Sequence, residues 1–126
     1  MLRIGIDLDN TITATDESKK FFALFTSLMS QAATIYIITN RDTSAISREN
    51  TIQELDLLDI RYDELIITSK KEEFILKEGI TIYFDDTDEY FQKLPSSVTV
   101  FKIRESGNFD FKNHVWIYGD KTGRKL

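Results

Sequence analysis

No cysteine occurs in the chain, which excludes disulfides, thiolate zinc sites and a cysteine nucleophile. Histidine occurs once, at His114, so a histidine cluster for metal is excluded as well. Proline occurs once and glycine five times, leaving no linker or low-complexity stretch. No run approaches the ~18 apolar residues that a membrane span needs. The N-terminus reaches Asp7 too early for a signal peptide. No membrane partner is expected, and a cytoplasmic location is. Basic residues number 16 against 21 acidic ones, a formal charge of −5. A predominantly electrostatic grip on nucleic acid is therefore not expected, although a local basic patch stays open.

What is present suits one α/β domain. The 126 residues are 41% apolar and 29% charged, ordinary for a soluble globular chain able to bury a core. Residues 2–8 are apolar and β-branched and read as a buried strand. Phe21, Phe22, Leu24, Phe25, Leu28 and Met29 recur at helical spacing. That spacing predicts a helix over 17–32, capped by Thr15 or Asp16, with the Phe21, Phe22, Phe25 stripe packed in the core. Residues 34–39 form a second strand, and 43–58 a helix with Ile52, Leu55 and Leu58 inward. Leu65–Thr68 is a third strand. Ser69 with Glu72 makes a capping box that starts a helix running to Glu78, with Gly79 at its exit. Residues 80–84 are a fourth strand, Asp88–Leu94 a short helix stopped by Pro95, and 98–103 a fifth strand. Residues 115–118 are a candidate sixth. Alternating strand and helix imply right-handed crossovers and a mostly parallel, Rossmann-like sheet of five strands between two helical layers.

In such sheets ligands bind outside the carboxyl ends of the strands. Those ends are chemically loaded. Strand one runs out in Asp7-Leu8-Asp9-Asn10-Thr11, strand two in Thr39-Asn40-Arg41, strand three in Thr68-Ser69-Lys70-Lys71 and strand four in Asp85-Asp86. A single acidic pair at a strand end is ordinarily a turn or a cap. Two such pairs with a hydroxyl and a lysine on one rim are harder to explain as solubility. Carboxylates 4 Å apart repel by about 4 kcal/mol at an effective dielectric near 20. A bound cation removes that cost, and an all-oxygen donor set points to Mg²⁺. Residues i and i+2 of an extended chain share a face about 6.6 Å apart, so Asp7 and Asp9 face the site while Leu8 enters the core.

These motifs resemble the haloacid dehalogenase superfamily of phosphohydrolases. The family's Asp-x-Asp-x-Thr is met by Asp7, Asp9 and Thr11, its Thr or Ser by Thr39, its Lys by Lys70 or Lys71, and its acidic pair by Asp85-Asp86. Asn10 stands where the family most often has Gly, and Asn is the side chain that best tolerates left-handed backbone. Only positions 12–38 separate Thr11 from Thr39 and only 69–84 separate Thr68 from Asp85, leaving no room for a cap domain.

The resemblance implies a Mg²⁺-dependent phosphatase acting on a phosphomonoester; nucleotidases and sugar-phosphate phosphatases are among the family's small members. It implies that Asp7 is the nucleophile and that Asp9 protonates the leaving group and then activates water. Asp7, Asp9 (through its carbonyl), Asp85 and Asp86 would hold the metal, with Asp86 acting through water or orienting the lysine. Thr39 and the Asn40 backbone would hold phosphoryl oxygens. Lys70, nearer the strand end than Lys71, would neutralise transition-state charge. Apart from the resemblance, Thr11 is a further phosphate-binding candidate, and Arg41, two residues past Thr39, could contact the phosphate or stand solvated. An uncapped rim calls for a large substrate or for a second copy of the chain to cover it. Two other readings are a receiver-type phosphoacceptor domain, which needs an Asp ending strand three, and an inactive binding module of the same fold. Ser106-Gly107-Asn108 falls at the same rim, and Lys121, Arg124 and Lys125 form a basic tail.

Overall fold

The computed structural model describes residues 1–117. Five strands form one wholly parallel sheet: β1 (Leu2–Ile6), β2 (Ala33–Thr39), β3 (Glu64–Ile67), β4 (Ile82–Asp85) and β5 (Thr99–Lys102). Their spatial order is β3-β2-β1-β4-β5. The chain therefore winds outward on one side of β1, returns, and winds outward on the other. The β1/β4 boundary is the point where strand order reverses, and loops leaving it in opposite directions open a crevice.

Alternation along β2 shows how the layers are held. Ile35 and Ile37 face one side with Ile4, Ile6, Phe22 and Leu55, where α1 (Asp16–Met29) and α2 (Ala45–Leu57) pack. Tyr36 and Ile38 face the other, with Ile75, Ile80, Tyr83 and Tyr90, against α3 (Lys71–Glu78) and α4 (Asp88–Phe91). Each fully buried Ile contributes about 1.5–3 kcal/mol of transfer free energy. Gly5 pairs with Tyr83 across the β1/β4 boundary. A Cβ there would lie 2.9 Å from Ile38 Cδ1 and 3.0 Å from Tyr83 Cδ1, so glycine is what lets the Ile38 and Tyr83 side chains pack this close to β1.

Several expectations need correction. Phe22 is buried, but Phe21 is 51% exposed and Phe25 only partly covered, because α1 lays one edge of its aromatic stripe on the sheet and leaves the other in solvent. In α2, Thr51 and Leu55 face inward while Ile52 is 40% exposed; Leu58 is partly buried. Ser69 caps nothing. The Thr68 hydroxyl accepts the Lys70 N–H at 3.0 Å, and α3 starts at Lys71, with Lys70 at its N-cap. Thr15 and Gly79 behave as expected. Thr15 Oγ1 accepts from Ser18 N–H at 2.9 Å, and Gly79 exits α3 with φ of 68°. The candidate sixth strand does not join the sheet. Val115–Trp116 pairs antiparallel with Phe109–Asp110 as a separate ribbon, anchored by the Lys102 ammonium 4.1 Å over the Trp116 ring. Tyr118 and the basic tail with Lys121, Arg124 and Lys125 lie outside the described residues. Among the described residues, no helix is long and apolar enough to cross a membrane.

Candidate active site

The site forms where the β1/β4 boundary opens. Asp7 is held at the strand end by its N–H, which donates to Phe84 O at 2.9 Å. A wide turn over Leu8–Ile12 follows, made possible by Asn10 at φ 59°, while Asp7 and Asp9 stay extended. Leu8 and Ile12 are buried, so the turn is nailed down from below and Asp7 and Asp9 are left on its upper side. Asp85 ends β4, directly beside Asp7.

Lys71 lies at the centre of this arrangement. Its side chain is 2% exposed, and its ammonium donates to Asp7 Oδ1 at 2.8 Å and Asp85 Oδ2 at 3.0 Å. It also lies 4.5 Å from the centroid of the Tyr90 ring, a cation–π contact. Lys70, the lysine expected here, is exposed. Consecutive helical positions differ by about 100° in direction. Because α3 starts at Lys71, that residue points inward and its predecessor points away. Lysine is an unfavourable residue at a helix start, and two buried carboxylates explain why one stands there.

The Asp85 carboxylate is saturated. Its Oδ1 accepts the N–H groups of Asp86 (2.7 Å) and Thr87 (3.0 Å); its Oδ2 accepts Lys71 and the Tyr83 hydroxyl. A carboxylate offers about four acceptor positions, so all are used. Burial, then the charge of Asp85, holds the Tyr83 phenol well above its ordinary pKa, so it remains a donor. Thr11, expected to bind phosphate, is fully buried and donates instead to Asp7 Oδ2 at 2.9 Å. It orients the expected nucleophile.

Ligand atoms of Asp7, Asp85 and Asp86 lie within 4.8 Å of one another, all buried. Three carboxylates against the Lys71 ammonium leave this pocket short of positive charge. Burial, followed by the charge of Asp85, pushes Asp7 up to about 6 despite Lys71 and Thr11. A hard divalent cation fits this donor set and would relieve that strain. The Asp9 carboxylate lies outside the triad. Burial pulls Lys71 down, but Asp7 and Asp85 more than offset it and its pKa is raised.

Arg41 is committed elsewhere than expected. It clasps Asp9 through Nη2 to Oδ1 at 2.6 Å and Nε to Oδ2 at 3.0 Å. Its Nη1 is anchored on α2 by Thr51 Oγ1 at 3.1 Å and Glu54 Oε1 at 2.9 Å. These bonds from Arg41 hold Asp9 below the ordinary carboxylate range. Thr39 is buried at the end of β2, its hydroxyl 3.5 Å from Asp9 Oδ2. Asn40 Nδ2 donates to the Tyr90 hydroxyl at 3.1 Å. Asp7, Asp9, Thr39, Asn40, Lys71 and Asp86 line one open cavity of about 140 Å³. At roughly 30 Å³ per water, that is room for at least a phosphoryl group.

Sequence reasoning missed Tyr83, Tyr90 and Glu54. Tyr83 had a signal: two residues before Asp85 on a strand, it shares that residue's face. Tyr90 and Glu54 had none. Asn108, in the loop expected at this rim, is buried below it. Its Nδ2 donates to Asp86 O at 2.8 Å and Ile103 O at 2.6 Å, and its Oδ1 accepts Glu105 N–H at 2.9 Å. His114 is exposed in the turn between Phe109–Asp110 and Val115–Trp116.

No family model matches the chain, and no curated protein matches it. Among solved structures, it superposes on a chain of the Pnkp1/Rnl/Hen1 complex with a TM-score of 0.64 at 17% identity, over 83% of this chain and 47% of that one. A chain of the Pnkp1/Rnl/Hen1 RNA repair complex gives 0.63 at 17% identity, over 83% and 43%. The chain thus spans under half the length of these neighbours. At that identity the likeness establishes the fold.

Proposed function

We propose that the chain is a Mg²⁺-dependent phosphatase of the haloacid dehalogenase type, hydrolysing a phosphomonoester through an aspartyl-phosphate. One observation carries the reading: Asp7, buried between Lys71 and Thr11 and within the Asp85-Asp86 cluster, opens onto a cavity of phosphoryl size. Asp7 and Asp86, with the Asp9 carbonyl, would hold the ion. Asp85 would join only by releasing Lys71 or Tyr83. The ion would supply charge neutralisation for phosphoryl oxygens.

An Asp7 carboxylate oxygen forms a bond to phosphorus as the bond to the leaving oxygen breaks. Lys71 and Thr39 stabilise charge on the transferring group. Asp9 protonates the leaving oxygen, then takes a proton from the water that attacks phosphorus and frees Asp7. Arg41 holds Asp9 as the carboxylate, the form suited to the second role; the first requires that grip to loosen. The receiver reading finds less support, since β3 ends in Ile66-Ile67 and supplies no carboxylate. The RNA-repair context of the structural neighbours makes an RNA-end phosphomonoester a second substrate class to assay. The test is turnover of a generic aryl phosphate with and without Mg²⁺. Metal-dependent hydrolysis, lost in Asp7→Asn, is expected; no turnover by folded wild-type protein with Mg²⁺ or Mn²⁺ refutes the reading and leaves the binding-module alternative.

A further inference from the structure

Asp9 moves the proton in the proposed reaction, yet little inside the cavity fixes the direction of its carboxyl. The side chain is half exposed, and the Thr39 hydroxyl reaches it only at 3.5 Å. Its firm contacts are the two from Arg41, a planar fork that meets both carboxylate oxygens at once. Whatever fixes Arg41 therefore fixes Asp9. Arg41 lies in the link between Thr39, the end of β2, and Ala45, the start of α2. Its long side chain has many rotamers to choose among, so its direction must be set by partners.

Those partners stand outside the cavity. Arg41 Nη1 donates to Thr51 Oγ1 at 3.1 Å and to Glu54 Oε1 at 2.9 Å. Both acceptors are on α2, three positions apart and so on one face. Thr51 is fully buried, and its own hydroxyl proton goes to Ser47 O at 2.8 Å, which leaves a lone pair for Arg41. The guanidinium is thus divided: Nε and Nη2 serve Asp9, and Nη1 is fastened to a helix that contributes no residue to the cavity over Asp7. We infer that Glu54 is a positioning residue for proton transfer: through Arg41 it sets where the Asp9 carboxyl stands relative to the leaving oxygen. The inference rests on the phosphatase reading above. Because α2 holds Nη1 independently of Asp9, the guanidinium keeps its place while Asp9 passes its proton to the leaving oxygen and regains one from water. Without Glu54 the guanidinium keeps one neutral anchor, and fork and carboxyl can swing together. A shift of about 1 Å at a transferring group costs up to about 10²-fold in rate.

The experiment measures kcat/KM with Mg²⁺ for phenyl phosphate and p-nitrophenyl phosphate on wild type, Glu54→Ala and Glu54→Gln. The two esters share a ring and differ in the basicity of the leaving oxygen. Phenolate, the more basic, depends on the Asp9 proton, whereas p-nitrophenolate leaves with little help. kcat/KM covers the steps up to transfer of phosphorus to Asp7, so it reads the acid role of Asp9 and not its later work on water. The ratio of the two esters on one preparation cancels any loss of active protein. Glu54→Ala is expected to lower the phenyl to p-nitrophenyl ratio at least about fivefold, a part of the 10²–10⁴-fold that a general acid supplies. Glu54→Gln keeps an acceptor oxygen for Nη1 and should lower the ratio less. A ratio that falls less than fivefold in Glu54→Ala, equal losses on both esters included, marks Glu54 as a structural tie between β2 and α2 and overturns the inference while the phosphatase reading stands. A fall in Glu54→Gln as large as in Glu54→Ala overturns it too. No turnover of either ester by wild type removes the phosphatase reading and the inference with it.

Discussion

Replacing Lys71 by Met tests the centre of the site most directly. The side chain is nearly isosteric in length, so what is removed is the charge. In the native protein the ammonium faces two carboxylates at 2.8 and 3.0 Å. At an effective dielectric of 20 each pair is worth about 6 kcal/mol of Coulomb attraction, much of it offset by desolvation. Removing one partner of a buried pair costs about 3–5 kcal/mol, since the remaining charges stay buried and uncompensated. Thermal unfolding entropy of ~2.1 cal/mol/K per residue over 126 residues makes each kcal/mol worth about 4 °C. Lys71→Met in a chelator should therefore melt about 10–20 °C below wild type. Millimolar Mg²⁺ should restore more of that loss than it adds to wild type, because the ion then supplies the missing positive charge. Lys70→Met, on the exposed neighbour, should melt within about 2 °C of wild type, as surface substitutions do. Differential scanning fluorimetry with and without Mg²⁺ reads all three proteins. If Lys71→Met melts within 3 °C of wild type in chelator, or if Lys70→Met is the variant that falls, the assignment of the buried ammonium is wrong.

Three further outcomes follow from the same geometry. Asp7→Asn should lose at least 10³-fold in kcat on an aryl phosphate while its metal-free melting temperature holds or rises, since a buried charge is removed; a folded variant keeping a few per cent of kcat rejects Asp7 as nucleophile. Asp7 has a raised folded pKa, about 6 against 3.8, so its contribution to metal-free stability is complete below pH 3.8 and is lost as pH rises towards 6. Because a metal needs its ligands deprotonated, apparent Mg²⁺ affinity should climb about tenfold per pH unit up to about 6 and then flatten, with about one proton released per ion; calorimetry in buffers of different ionisation enthalpy reads this, and a flat profile from pH 5 to 7 counts against it. Asn108→Ala removes one buried hydrogen bond to Asp86 O and two part-buried ones to Ile103 O and Glu105 N–H, and losing a buried partner costs about 1–3 kcal/mol; urea unfolding should show a loss of that order, and a change below about 0.5 kcal/mol refutes the structural role given to this side chain.

The strands were legible because each is a short apolar run bounded by polar residues, and the run lengths suit strands rather than helices. From that alternation the parallel sheet follows, and with it the rule that chemistry collects at the carboxyl ends; hence Asp7, Asp9, Thr39 and the Asp85-Asp86 pair could be placed on one rim without coordinates. Left-handed backbone at Asn10 and the exit at Gly79 were legible for a similar reason, since local sterics decide them. What sequence left open were matters of direction and partnership. Lys70 and Lys71 are chemically identical neighbours, and the choice between them turned on where α3 begins, which Thr68 sets by capturing the Lys70 N–H. Arg41 could have reached substrate; instead Asp9 and Glu54, 32 and 13 positions away, claim it. Thr11 turned under Asp7 rather than towards the opening. In each case short-range pattern assigns a residue to an element, but a side chain's partner is chosen among groups brought close by the sheet crossovers. The energy of a buried hydrogen bond or ion pair depends on those groups and on how little water remains between them, and that is decided only once the chain has folded.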